Sequence, residues 1–187
     1  MRLLALTATG LLLTGCATGT AATPDNAASK TPSSQAASSS QSSTGPGHPS
    51  AAALMVCGPE IRGKVQQALA LPALPATAAT FTGGRYTCGY RLPYGQLVLS
   101  VQDAGSKAGA ASYLVQRQRA LHGEPVPGLG EAAFSTPSGV VLVRKDAQTL
   151  TVDATGLPTQ FGNQQQKRTD LAYEVASDVL GCWTGND

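Results

Sequence analysis

Four cysteines, Cys16, Cys57, Cys88 and Cys182, carry the most reactive chemistry in this 187-residue chain. A thiol can act as a nucleophile, a metal ligand, half of a disulfide or an acyl acceptor, and its neighbours decide which. Metal ligation has little to build on, because no C-x-x-C occurs and the only histidines are His48 and His122. A nucleophilic serine or cysteine would need a histidine and an acid within reach. His48 falls in a stretch that reads as linker, and His122 falls at a predicted helix end, where it reads as a cap or a solvent-facing residue. Glu124 with Glu131, or Asp146 with Asp153, would be candidate carboxylate pairs for sugar chemistry, but nothing in their spacing demands it and they read as solvated charges. Gly128-Leu129-Gly130 follows a helix and a proline-rich bend and leads into a strand. That is the reverse of the context of a phosphate-cradling loop, so it reads as a turn. The expectation is a protein with no catalytic constellation, no cofactor and no metal.

Cys16 stands apart from the other three. Met1-Arg2 gives a short basic start, an apolar run follows from Leu3 to Leu13, and Leu13-Thr14-Gly15-Cys16 closes it. The layout is that of a secretory signal. It is too short for a membrane span, which needs about 20 apolar residues. The tetrapeptide resembles the lipobox of bacterial lipoproteins, in which the cysteine thiol takes a diacylglyceryl group and the signal is cut just before it. The expectation is a signal peptide over 1–15 and a lipidated Cys16 that holds the protein on the extracytoplasmic face of the cell membrane. Two or more acyl chains anchor stably, at roughly 0.8 kcal/mol per buried methylene. The alternative is an ordinary signal peptide whose cleavage zone happens to contain Cys16.

Residues 17–52 are almost entirely Ala, Ser, Thr, Gly and Pro, with no Leu, Ile, Val or aromatic residue. Such a segment lacks the apolar area to offset about 1 to 2 kcal/mol of backbone entropy per ordered residue. Residues 16–52 therefore read as a disordered tether, which as a coil would span on the order of 30 to 36 Å.

Residues 53–187 have the length of one domain able to bury a core without metals. Their charges are interleaved without a run and the whole chain carries a net charge of +2, so nothing suggests a nucleic-acid surface or a polybasic membrane patch. Cys57, Ile61, Val65, Ala68 and Leu69 fall at helical spacing, and Pro59 suits a first turn, which predicts a helix from Pro59 to Leu71. The Thr/Ala-rich stretch up to Gly84 reads as a connection. Tyr86, Cys88, Tyr90 and Leu92 alternate with polar or small residues, predicting a strand hairpinned to a second one over 96–102. A helix over 106–121 follows, with Ala108, Ala111, Val115 and Leu121 facing inward. Three short strands over 132–135, 140–144 and 150–154 form a meander. A last helix over 164–182 carries Leu171, Val175, Val179 and Cys182 on one stripe. The order αββαβββα predicts an α+β fold, an antiparallel sheet with helices packed on one face.

Cys57, Cys88 and Cys182 each lie on the apolar side of their element, and export would place them where buried neighbours tend to pair. Cys57 with Cys88 would staple the first helix to the first strand, leaving Cys182 as a small hydrophobe. Pairing of Cys182 with either of the others remains open, since spacing does not fix connectivity. Among the tyrosines, Tyr86 and Tyr90 read as core. Tyr94, in a Pro-Tyr-Gly turn, reads as an exposed contact.

The chain resembles small lipoproteins of unknown function from high-GC Gram-positive bacteria, and is similar to the extracellular sensor domains of some bacterial serine/threonine kinases. The residues that carry the likeness are Cys16, the Ser/Ala-rich tether, Cys57 opening the first helix, Cys88-Gly89-Tyr90, the stretch from Val126-Pro127-Gly128-Leu129-Gly130-Glu131 to Ala133, and the closing helix. The resemblance implies an α/β sandwich, a disulfide between first helix and first strand, and a non-catalytic binding or sensing role. Cys182 departs from the simplest form of that pattern. The expected partners are the membrane, through the anchor, and an envelope protein. The alternative is a carrier for a small amphipathic envelope ligand held in a cavity lined by residues such as Leu99, Val115 and Val175, with a hydrolase third.

Overall fold

A computed structural model describes residues 47–162 and 165–184 of the chain. Cys16, the expected signal peptide and most of the stretch expected to be a tether lie outside the described residues. The folded unit starts slightly before residue 53, because Ser50 is buried and caps helix α1 (Ala51–Met55), its Oγ accepting the Ala53 N–H at 3.2 Å. Helix α2 (Pro59–Ala68) begins with the proline in its first turn and Glu60 beside its positive end, and it buries Ile61 and Val65.

Three antiparallel strands follow, β1 (Ala76–Thr82), β2 (Arg85–Leu92) and β3 (Gly95–Asp103), then helix α3 (Lys107–Leu121), capped by Ser106. The second half comprises β4 (Glu124–Pro125), β5 (Ala132–Ser135), β6 (Val140–Lys145), β7 (Gln148–Asp153), a small β8–β9 hairpin (Gln160–Phe161 and Gln166–Lys167), and helix α4 (Arg168–Thr184). The main sheet runs β1-β2-β3-β7-β6-β5-β4 and every pair in it is antiparallel. The two meanders legible in the sequence are thus joined edge to edge through β3 and β7, with Leu99 opposite Val152. The fold is α+β, as the pattern of elements predicts. Among the described residues no helix is long and apolar enough to cross a membrane.

Side chains on one face of the sheet, including Cys88, Tyr90, Leu97, Leu99, Val101, Val141, Val143, Leu150 and Val152, pack with Ile61, Val65, Leu171, Val175 and Val179 from α2 and α4. Successive strand residues point to opposite faces, so Val140 and Leu142 face the other way. There they form a second cluster with Phe134 and with Leu114 of α3. Helix α3 is therefore the exception to the expected one-sided arrangement, covering the reverse face of β5 and β6 while α1, α2 and α4 share the main core.

Two local readings are corrected. The Thr/Ala-rich stretch expected to be a connection contains β1, which pairs with β2 along its whole length, Ala76 opposite Arg91 and Thr82 opposite Arg85. As an edge strand with both faces open it shows no alternation of burial that a period-two pattern could report. In α3 the buried residues are Ala110 and Leu114, whereas Val115 is 45% exposed and Ala108 is exposed. The true stripe is one residue out of phase with the expected one, because alanines all round the helix leave its apolar face weakly defined.

Candidate functional site

Tyr94 sits where expected, at the tip of the β2–β3 hairpin, 39% exposed. Gly95 fixes its position. That residue has φ near +140°, and a Cβ there would lie 2.2 Å from the Gly156 carbonyl oxygen, so only glycine lets the hairpin approach the 155–157 loop so closely. The neighbouring Gln96 N–H donates to the same carbonyl at 3.2 Å. The tyrosine ring rests on Phe161 of β8, with centroids 5.3 Å apart and planes inclined by 33°. Phe161 is buried, so Tyr94 covers one side of an apolar anchor while remaining exposed itself. Beside the pair lies a cleft of about 450 Å³, lined by Ala68, Leu69 and Ala70 at the end of α2, and by Gly162 and Gln166. Sequence reasoning missed Phe161. Its one signal was an isolated aromatic before a glycine, in a hairpin whose strands are two residues each.

The cysteines partition cleanly. Cys57, between α1 and α2, is bonded to Cys88 of β2, with Cα atoms 5.5 Å apart. Next to it the fully buried Tyr90 hydroxyl donates to the Val56 carbonyl, and burial drives the Tyr90 phenol well above its ordinary range. Cys182 stays outside the disulfide. Half-buried on α4, its thiol donates to Glu60 Oε1 at 3.3 Å. Burial first, and then this hydrogen bond, raise its pKa.

The carboxylates named as possible pairs are not brought together in those pairs. Glu131 accepts from Arg144 and from the Asp146 N–H at 3.1 Å, while Asp146 pairs with Lys107 at 2.7 Å. This cluster joins the start of α3 to the β6–β7 turn. It also explains the glycine-rich stretch before it, since a Cβ on Gly130 (φ +54°) would sit 2.6 Å from the Arg144 carbonyl oxygen. Asp153 instead holds its own turn, accepting from the Thr155 N–H at 2.9 Å. Glu124 lines a separate cleft of about 360 Å³ with Asp170, Thr169 and Tyr173. His122 is exposed and ends α3 in the left-handed conformation, φ +51°.

A third cleft, of about 550 Å³, lies at the other end of β2. Gly47, His48, Pro49 and Ser50 form one wall where the chain enters the domain, and Phe81, Gly83, Gly84 and Asp103 form the other. The three residues suggested as lining a carrier cavity do not meet, since Leu99 and Val175 are packed into the main core and Val115 lies exposed on α3. Among the described residues, no group of three or more His, Cys, Asp or Glu is placed to hold a metal ion. No protein-family model matches the chain, and comparison with curated proteins and with solved structures finds no match.

Proposed function

We propose that this chain is a lipoprotein, held on the extracytoplasmic face of the cell membrane through acyl groups on Cys16. Its domain binds an envelope protein through the Tyr94 end, without catalysis or cofactor. The observation that carries this reading is the placement of Tyr94 and Phe161 at the end of β2 opposite the one where the chain enters. Eight strand residues separate the two ends, about 25 Å. A domain attached at the Ser50 end thus presents its exposed aromatic ring away from the attachment. Aromatic residues, tyrosine among them, are enriched at the centres of protein contacts. The likeness to kinase sensor domains points the same way, and the filling of the core by Leu99 and Val175 favours surface recognition over an enclosed ligand.

Intact mass measurement on protein extracted from membranes of its host, unreduced and then again after solvent extraction, tests this reading. A mass beginning at Cys16 with added acyl chains, and no released small molecule, supports it. A released amphipathic molecule would transfer the reading to a carrier, and an unacylated soluble product would overturn the location. Tyr94→Ser should abolish partner capture while leaving the acylation and the fold unchanged.

A further inference from the structure

The two edges of the main sheet are built differently. At one end stands β4, two residues long with Pro125, which cannot donate to a further strand. At the other stands β1, seven residues Ala-Thr-Ala-Ala-Thr-Phe-Thr without a charge or a proline, six of them exposed. Edge strands of soluble domains ordinarily carry lysine, proline, a bulge or a covering element, because an open row of N–H and C=O groups recruits another strand. Among the described residues, none of these devices is present on β1.

We infer that β1 is a self-association edge, pairing antiparallel with β1 of a second copy about a two-fold axis at Ala79, so that two seven-stranded sheets join into one. The argument for a second copy is the self-complementarity of the strand. Full overlap of two seven-residue strands places Ala79 opposite itself, Ala78 opposite Thr80, Thr77 opposite Phe81 and Ala76 opposite Thr82. No position brings like charges together, which would oppose pairing. The pairing also places a bulky ring beside a small side chain. Thr77 and Phe81 share the helix-bearing face, since their β2 partners are Tyr90 and Tyr86, and Tyr90 is a core residue there. Phe81, 36% exposed in one copy, would then lie over Thr77 of the other. Every second residue of β1 would gain backbone partners, and the interface would be isologous, as closed dimers require. One strand ladder lies at the small end of specific interfaces, so the dimer should be concentration-dependent.

Paired cysteines on the reverse face, away from Cys88, read the register. In the dimer, residue 76 of one copy faces residue 82 of the other, while the two copies of residue 76 stand about 20 Å apart. The full-length chain is prepared as Ala76→Cys and as Thr82→Cys and oxidised gently, each alone and then mixed, both purified and in the envelope of producing cells. The inference expects a disulfide-linked dimer from the mixture and its loss in either variant alone. It also expects Thr80→Lys to abolish the dimer in sedimentation of the otherwise unaltered chain, with an unchanged circular dichroism melt. Equal crosslinking of the single variants, a monomer at every concentration, or capture of the thiol by a different protein in place of a second copy would each overturn it.

Discussion

Removing the Cys57–Cys88 bond should cost this domain a large part of its stability. The bridge spans a sequence separation of 31 residues, and in the chain-entropy model closing a loop of that size restricts the unfolded chain by about 3.7 kcal/mol. Cys88 is fully buried, so truncating it to alanine adds on the order of 1 kcal/mol for lost packing. Cys57→Ala/Cys88→Ala is therefore expected to lose about 4 to 5 kcal/mol of an unfolding free energy that for most domains is only about 5 to 15 kcal/mol. The midpoint of thermal unfolding should fall by roughly 10 to 20 °C. Urea titration of the oxidised parent and the double variant measures the difference. Cys182→Ser serves as the control and should change stability by only a few tenths of a kcal/mol. A loss below about 1 kcal/mol would refute the entropic argument, because it would mean the reduced chain already holds the α1–α2 junction against β2. Peptide mapping that finds Cys182 in the bridge would refute the connectivity itself.

Tyr90→Phe leaves the buried Val56 carbonyl without its donor and should cost about 1 to 3 kcal/mol by urea unfolding. The folded phenol titrates above its ordinary value of 10.0. Its contribution is therefore complete below that pH and is lost as pH rises beyond it, so the parent should lose stability more steeply than Tyr90→Phe in strong alkali. Gly95→Ala forces a methyl group onto the Gly156 carbonyl at a left-handed φ, and should cost about 2 to 5 kcal/mol and displace Tyr94. Cys182, with its pKa raised by burial and by Glu60, should alkylate more slowly than glutathione at neutral pH and at the same rate once the chain is denatured. Alkylation as fast as glutathione in the folded chain would contradict its placement on α4.

Where burial imposes a period, the elements were legible. Tyr86, Cys88, Tyr90 and Leu92 alternate because one face of β2 meets the core, and Leu171, Val175 and Val179 repeat because α4 lies across it. Where burial imposes none, the residues are silent. β1 is open on both faces and offers no contrast, whereas β6 is covered on both, its first four residues all buried, and reads as a plain apolar run. Helix α3 shows the cost of weak contrast. Ala110 and Leu114 are its contacts, but Val115 is as apolar as either, and only the position of Phe134 and Leu142 on the reverse face decides between them. The site was half legible for a related reason. Tyr94 announced itself through its turn, while Phe161 matters only because folding brings a two-residue strand beneath it.

The fastening of the domain's first helix gives the attachment end a mechanical meaning. Ser50, the α1 cap, also accepts from the Gln148 amide at 2.6 Å, at the start of β7. The Ala52 carbonyl accepts from Trp183 Nε1 at 3.2 Å, near the end of α4. Past the helix, Cys57 is bonded to β2 and Val56 takes the Tyr90 hydroxyl. A helix of five residues has almost no stability of its own, so these contacts to three separate elements, not helix propensity, hold it in place. They stand at the point where a pull on the N-terminal chain would reach the fold. If Cys16 anchors the protein, that pull passes first into the Ser50 and Trp183 hydrogen bonds, and then into a covalent bond to an interior strand. On that reading the Tyr94 hairpin, at the far end of β2, lies outside the path of the load.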